Sequence, residues 1–325
     1  VLLARPTPEH ATEFHALVWD YIDLVAVTLY PFEEITARTD CTLADAIENI
    51  DIGCVTLLRS AAKNHTRVTL VCDPSDYAPT LAALRTNSLS QEHRRALAIK
   101  GFALTTHYDS AIFSYLSGSE VLELRGYAGQ SLRYGENPHQ QAALFTYLPD
   151  EGPLGGHVLQ GKELSYNNLL DLDAAWRAVV SFERPSIVIV KHLSPCGIAS
   201  ATTLQEAYRL ALASDPISAF GGIIASNRPI DENTAAQIKD LFVECVIAPG
   251  FSDSALQIFA QKKNLRLLDM PNLEITPAWE LRSITRGVLR QSIDFGDPFS
   301  ASWQVVSSRA PSEDELRSLH FAWKA

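Results

Sequence analysis

The adjacent pair Lys191-His192 offers the most direct chemistry in the chain. It follows Ser186-Ile187-Val188-Ile189-Val190, a β-branched run of the kind buried on both faces of a sheet. Ligands of open α/β sheets gather at the carboxyl ends of strands, which is where this pair stands. A lysine there can neutralise a phosphate or a developing negative charge. A histidine there can take a proton near neutral pH. The same residues would also serve as a capped strand end with a solvated lysine and a structural histidine, and the phrase alone leans only modestly toward chemistry.

Pro195-Cys196, just downstream, invites comparison with zinc deaminases, whose signature needs P-C-x-x-C and an upstream H-x-E. Position 199 is Ala, and no other Cys/His set has metal spacing, so no metal is expected. Arg133, Tyr134, Asn137 and His139 crowd into the short phrase Arg133 to Gln140 with Gly135 and Pro138. Arginine suits a bidentate grip on phosphate, although a plain surface turn would look the same. In Gly161 to Asn168 the asparagines could cap the helix that follows. Asp215 to Gly222 gives a turn whose glycines either admit a ligand or simply make the turn. Nearer the start, Asn49-Ile50-Asp51-Ile52-Gly53 precedes a helix carrying Arg59, Lys63, Asn64 and His65. Lys63 near its end could be catalytic or could answer the helix dipole. Tyr30, before Pro31, closes the first apolar run and could be a packing residue.

These residues must be positioned by α/β elements. Ile22 to Leu29 and Arg67 to Cys72 read as strands, Leu43 to Ile50 and Val55 to Ala62 as helices. Gln91 to Leu116 reads as one long helical stretch with a break near Gly101. Residues 117–131, with three glycines and no sustained periodicity, read as a connector. Beyond it come a helix over Asn168 to Phe182, the strand Ser186 to Val190, and a helix opened by a capping box at Thr203-Leu204-Gln205-Glu206. Short strands at Gly221 to Ala225 and Cys245 to Ala248 follow, and a helix capped at Ser312. This is α/β grammar in two regions, 1–116 and 132–325, on either side of a 117–131 linker.

With 46% apolar and 20% charged residues, the composition is that of a globular protein with a real core. The net charge of -11 argues against a nucleic-acid partner but leaves room for a local basic pocket. Five cysteines without a C-x-x-C pair favour free thiols in a reducing compartment, hence the cytoplasm. No apolar run reaches membrane-spanning length, and no membrane partner is expected. The chain starts on Val1 without a signal-peptide pattern and stops at Ala325 inside a helical pattern, so a cut at both ends is expected.

Taken together, the phrases resemble the bifunctional purine enzymes that join AICAR transformylase to IMP cyclohydrolase, in their bacterial form. The resemblance covers nearly the whole chain, in order. It is carried by Leu29-Tyr30-Pro31-Phe32, Glu48 to Gly53, Ala61 to His65, Leu132 to Gln140, Leu164 to Asn168, Lys191 to Gly197 and Ser218 to Asn227. It implies two active sites. In the transformylase, which moves a formyl group from the co-substrate 10-formyltetrahydrofolate to the amine of AICAR, His192 would be the base and Lys191 the charge stabiliser or substrate holder. Arg133, Tyr134, His139 and Asn168 would bind or orient the nucleotide. In the cyclohydrolase, which closes formyl-AICAR to IMP, Tyr30, Asp51 and Lys63 match catalytic positions. The implied fold is an α/β domain resembling methylglyoxal synthase, followed by a transformylase domain resembling cytidine deaminase without its zinc, both incomplete here. A homodimer with the transformylase site at its interface is implied as well. Thr28 stands where the family usually has Asn, and Cys54 where it has a second Gly. The alternative is a catalytically incomplete nucleotide-binding or assembly fragment of this family.

Overall fold

The computed structural model describes residues 2–5, 7–119, 121–122, 124–273, 279–294, 296 and 302–325. The chain divides into two compact units, Val1–Leu124 and Arg125–Ala325, both of mixed α/β structure. The border falls inside the expected connector 117–131, whose end from Tyr127 on is not connector but part of the paired strand Tyr127–Leu132.

The first unit contains α1 (Pro8–Leu17), β1 (Leu24–Ala26), α2 (Phe32–Thr36), α3 (Leu43–Glu48), α4 (Gly53–Lys63), β2 (Thr69–Val71), α5 (Tyr77–Arg85) and α6 (Gln91–Ser117). The expected strands are there, but each shrinks to three residues, because β1 and β2 pair in parallel only with each other among the described residues. Leu58, Ala61, Ala62, Val68, Leu70 and Ala98 form the core where α4, β2 and α6 meet. The expected break at Gly101 is not there: α6 runs through it. A side chain at Gly101 would overlap Leu70 Cδ2, so this glycine serves close helix–strand contact rather than a kink.

The second unit opens with a hairpin, β3 (Tyr127–Leu132) and β4 (Ala142–Thr146). It continues through β5 (His157–Gln160), α7 (Tyr166–Val180), β6 (Ser186–Lys191), β7 (Ser194–Ser200), α8 (Leu204–Ser214) and β8 (Ile223–Ser226). Then follow α9 (Glu232–Ile238), β9 (Cys245–Ala248), α10 (Asp253–Phe259), β10 (Arg266–Asp269), the hairpin β11 (Trp279–Ile284) with β12 (Gly287–Ser292), and α11 (Glu313–Lys324). Six strands make one sheet in the order β5-β10-β9-β8-β6-β7. β8, β9 and β10 are mutually parallel, while β6 runs antiparallel to both β7 and β8.

β6 shows why the sheet is buried on both sides. Alternate residues of a strand point to opposite faces. Val188 and Val190 enter a core with Leu172, Ala175, Trp176 and Val179 of α7. Ile187 and Ile189 enter a second core with α8, α9 and α10. From Ser186 to Val190 neither face of β6 meets water, which fits the unbroken β-branched run in its sequence.

The expected helix caps are met at α7 and α11 and only half met at α8. Ser165 and Asn168 close a full capping box at α7, and Ser312 and Glu315 another at α11. At α8, Thr203 accepts the Glu206 N–H, but the expected return bond is missing. The Glu206 carboxylate instead binds Arg209, at 2.6 Å, and that charged partner outcompetes a main-chain N–H.

Gly197, in the phrase Lys191 to Gly197, is a packing residue. A side chain on it would overlap the backbone carbonyl of Ala211 in α8. Because backbone cannot swing aside, Gly197→Ala should cost about 2 kcal/mol of stability, read as a lower denaturation midpoint at unchanged slope. A change below about 0.5 kcal/mol, the range of an ordinary surface substitution, would contradict this packing.

Candidate active site

β6 and β7 are joined by only two residues, His192 and Leu193, with Lys191 paired to Ser194 at the end of the ladder. The strand end expected from sequence is therefore the tip of a tight hairpin. Both turn residues have positive φ, 56° at His192 and 63° at Leu193. Two-residue hairpins of type I′ need that geometry and usually take Asn-Gly there. For a residue with a side chain the left-handed region costs roughly 1–2 kcal/mol, so the turn must be held from outside.

Asp171 of α7 does this. Its Oδ2 accepts the His192 N–H at 3.3 Å and its Oδ1 accepts the Leu193 N–H at 2.7 Å. Both bonds go to main chain, and the His192 side chain stays exposed. Lys191 Nζ donates to the Phe220 carbonyl at 2.8 Å. A lysine ammonium has three donors, so two remain for a ligand. Burial raises the Cys196 thiol pKa, with Asp215 adding to the shift and Lys191 opposing it, which puts these charges around one hairpin end.

A cavity of about 980 Å³ lies in the same unit and is lined by Arg133, Tyr134, Asn168, Glu244 and Arg266 among others. Five basic and three acidic side chains line it, a local positive balance in a chain of net charge -11. Asn168 Nδ2 donates to Glu244 Oε2 at 2.8 Å, and Arg266 Nη1 stands 3.6 Å from the same oxygen. Arg266 is also tied by Nε to the Glu163 carbonyl, at 3.0 Å. The Arg133 guanidinium lies over the Tyr134 ring, 4.8 Å from its centre. Burial lowers the Lys262 pKa on the cavity wall, where its Nζ donates to the Leu241 carbonyl at 2.7 Å.

Three of the four expected nucleotide-binding residues thus share one cavity. His139 is exposed on the neighbouring turn, in which Gln140 Oε1 accepts the Asn137 N–H, and is not among the residues lining the cavity. Lys191 and His192 do not line it either. They are tied to it twice. α7 carries Asn168 and, one turn on, Asp171. Phe220, which takes the Lys191 bond, packs its ring 5.1 Å from Phe242 on the cavity wall. Sequence reasoning missed Asp171, Glu244 and Arg266. The i, i+3 step from Asn168 pointed to Asp171, and Glu244 abuts the fully apolar run Cys245 to Ala248.

In the first unit Asp51 is buried just ahead of α4. Its Oδ1 accepts the Cys54 N–H at 2.7 Å, while its own N–H donates to Tyr108 Oη at 2.8 Å. Its Oδ2 is buried without a hydrogen-bond partner among the described residues. Tyr30 is half exposed two residues before Phe32, whose ring meets Tyr108 edge-on. Asp51 is thus bonded to one ring of this pair, and Tyr30 lies in the chain just before the other. Lys63 sits at the other end of α4, whose eleven residues rise roughly 16 Å. There it lines a separate cavity of about 420 Å³ with Arg59, His65 and Phe102. Among the described residues, no group of three His, Cys, Asp or Glu side chains could hold a metal ion, and no helix is long and apolar enough to cross a membrane.

An α/β chain with a basic cavity tied to a Lys-His hairpin now has a family: it belongs to the AICARFT/IMPCHase bienzyme family, whose model matches residues 61–325. Among its relatives is a protein of Trichormus variabilis named bifunctional purine biosynthesis protein PurH. It is 47% identical over 328 residues, covering 100% of this chain and 65% of the relative. A protein of the same name from a Nostoc species is 48% identical over 307 residues, covering 93% of this chain and 61% of its own length. The chain thus spans somewhat less than two thirds of these relatives. A solved structure described as the crystal structure of ForH is 32% identical, covers 37% of this chain and 63% of its own, and superposes with a TM-score of 0.32.

The contact between Asp51 and Cys54 can be probed directly. The thiol pKa is raised, first by its bond to Asp51 and then by burial, and only the thiolate is nucleophilic. Cys54 should alkylate more slowly than a free cysteine at pH 8, followed by mass spectrometry, and Asp51→Asn should speed it severalfold. Equal rates with and without Asp51 would refute the contact.

Proposed function

We propose that this chain carries machinery for the last two steps of IMP synthesis. The first is formyl transfer from 10-formyltetrahydrofolate to AICAR, the second dehydrative closure of formyl-AICAR to IMP. The observation that carries the reading is the Lys191-His192 hairpin tied through α7 to a basic cavity. That cavity is within the usual size of a small-molecule site, about 300–1,000 Å³. Family membership and nearly half identity to proteins of that name support it.

The AICAR amine is a poor nucleophile because its lone pair is delocalised into the imidazole. His192 takes an amine proton as the nitrogen attacks the formyl carbon. Lys191, with two donors left beside its Phe220 bond, stabilises the oxyanion on the formyl oxygen. Collapse breaks the bond between the formyl carbon and N10 of the folate, and the proton on His192 goes to that leaving nitrogen. Arg133 grips the phosphate, while Tyr134, His139 and Asn168 orient the nucleotide. In the second step the carboxamide nitrogen attacks the new formyl group and water leaves. Asp51 and Tyr30 move the protons, and Lys63, which lines its own cavity at the other end of α4, supplies the positive charge for the step without direct contact to them. Residues 1–116 are the cyclohydrolase part, resembling methylglyoxal synthase. Residues 117–131 are the linker, and 132–325 are the transformylase part, resembling cytidine deaminase without zinc. The folate is a co-substrate, and neither step needs a metal. The working form is a cytoplasmic homodimer with the transformylase site at its interface.

In the protein of the natural reading frame, His192→Ala should lower the rate of formyl transfer at least 100-fold, the scale of a lost general base. Cyclisation of supplied formyl-AICAR should stay within twofold. Formyl transfer that survives His192→Ala would sink the base assignment.

A further inference from the structure

We propose that Asp171 is a positioning residue for formyl transfer, clamping the His192-Leu193 turn so that the histidine faces the nucleotide held by α7. This rests on the reading of His192 as the base. The two oxygens of one carboxylate accept two consecutive main-chain N–H groups, those of His192 and Leu193. Both residues are left-handed and neither is the Asn or Gly that such a turn usually takes, so the turn carries a steric cost, greatest at Leu193. A hairpin free to choose would relax, and the imidazole would swing with it.

The contact differs from the usual carboxylate–histidine pair. Asp171 bonds the main chain of the turn, which leaves both ring nitrogens of His192 to the substrate. Its effect is therefore on where the base stands. The place of Asp171 in the helix gives that position a reference. Asn168, three residues earlier on α7, bonds Glu244 on the cavity wall. One short stretch of rigid helix thus spans from nucleotide cavity to base, and small misplacements of a base carry large rate penalties. The cavity itself does not need Asp171, because its wall is held by Asn168, Glu244 and Arg266.

The test uses the protein of the natural reading frame and measures kcat and the KM for AICAR in formyl transfer. Asp171→Ala, which removes both acceptors, should lower kcat tenfold or more with KM changed less than threefold. Asp171→Asn keeps one acceptor and should fall between this variant and the parent. Adding Leu193→Gly to either variant should recover at least threefold in kcat, because glycine takes the left-handed conformation without steric cost. A merely structural role would not give that recovery. If Asp171→Ala does not fold, the Asp171→Asn and Asp171→Asn/Leu193→Gly pair decides by the same recovery. Loss without recovery, or kcat within twofold of the parent while His192→Ala is inactive, overturns the clamp and leaves the base reading standing. Activity that survives His192→Ala overturns the base reading itself, and the clamp with it.

Discussion

The six-stranded sheet of the second unit hangs on a strand buried on both faces from Ser186 to Val190. β6 sends Val188 and Val190 into one core and Ile187 and Ile189 into the other, so it cannot slide by one residue without exchanging the two faces. That fixed register sets where the strand ends, and so where Lys191 and His192 stand. The same packing seats α7 against the sheet through Leu172, Ala175, Trp176 and Val179, which brings Asp171 to the turn. The chemistry is placed by hydrophobic burial and then trimmed by a few hydrogen bonds.

The polar contacts work in pairs, each fixing something a core cannot. Asn168 both completes the cap of α7 and bonds Glu244, so one amide joins the helix start to the cavity wall. Lys191 spends one donor on Phe220 and keeps two. In the first unit, Tyr108 takes the Asp51 N–H and gives its own proton to the Asn49 carbonyl, which sets the chain just before α4. Asp51 Oδ2 beside it is buried without a hydrogen-bond partner among the described residues.

Much of this was legible in the sequence, and the failures are instructive. The β-branched run of β6 announces its own burial, and the asparagines of Gly161 to Asn168 announce a cap, although Ser165 is its N-cap and Asn168 the returning partner. The turn at His192-Leu193 does not announce itself, because the residues are wrong for it. The hairpin is imposed by Asp171 from another element, and no local pattern carries that information. Glu206 misled for a similar reason: its choice of Arg209 over the cap is a competition between two partners. Gly101 read as a helix break because periodicity carries no record of Leu70 lying against it. The motif phrases named Arg133, Tyr134 and Asn168, which the fold brings to the wall of one cavity. Lys63 lies a helix length from Asp51, a separation that a list of motif residues does not contain.

The three-residue step between Asn168 and Asp171 has an evolutionary consequence. A helix advances about 100° per residue, so one residue inserted between them would swing Asp171 a quarter-turn or more away from the hairpin while Asn168 kept its place. Substitutions along α7 can drift as long as the core is filled, but its length between these two positions cannot. This stretch should therefore tolerate changes of letter and refuse changes of length.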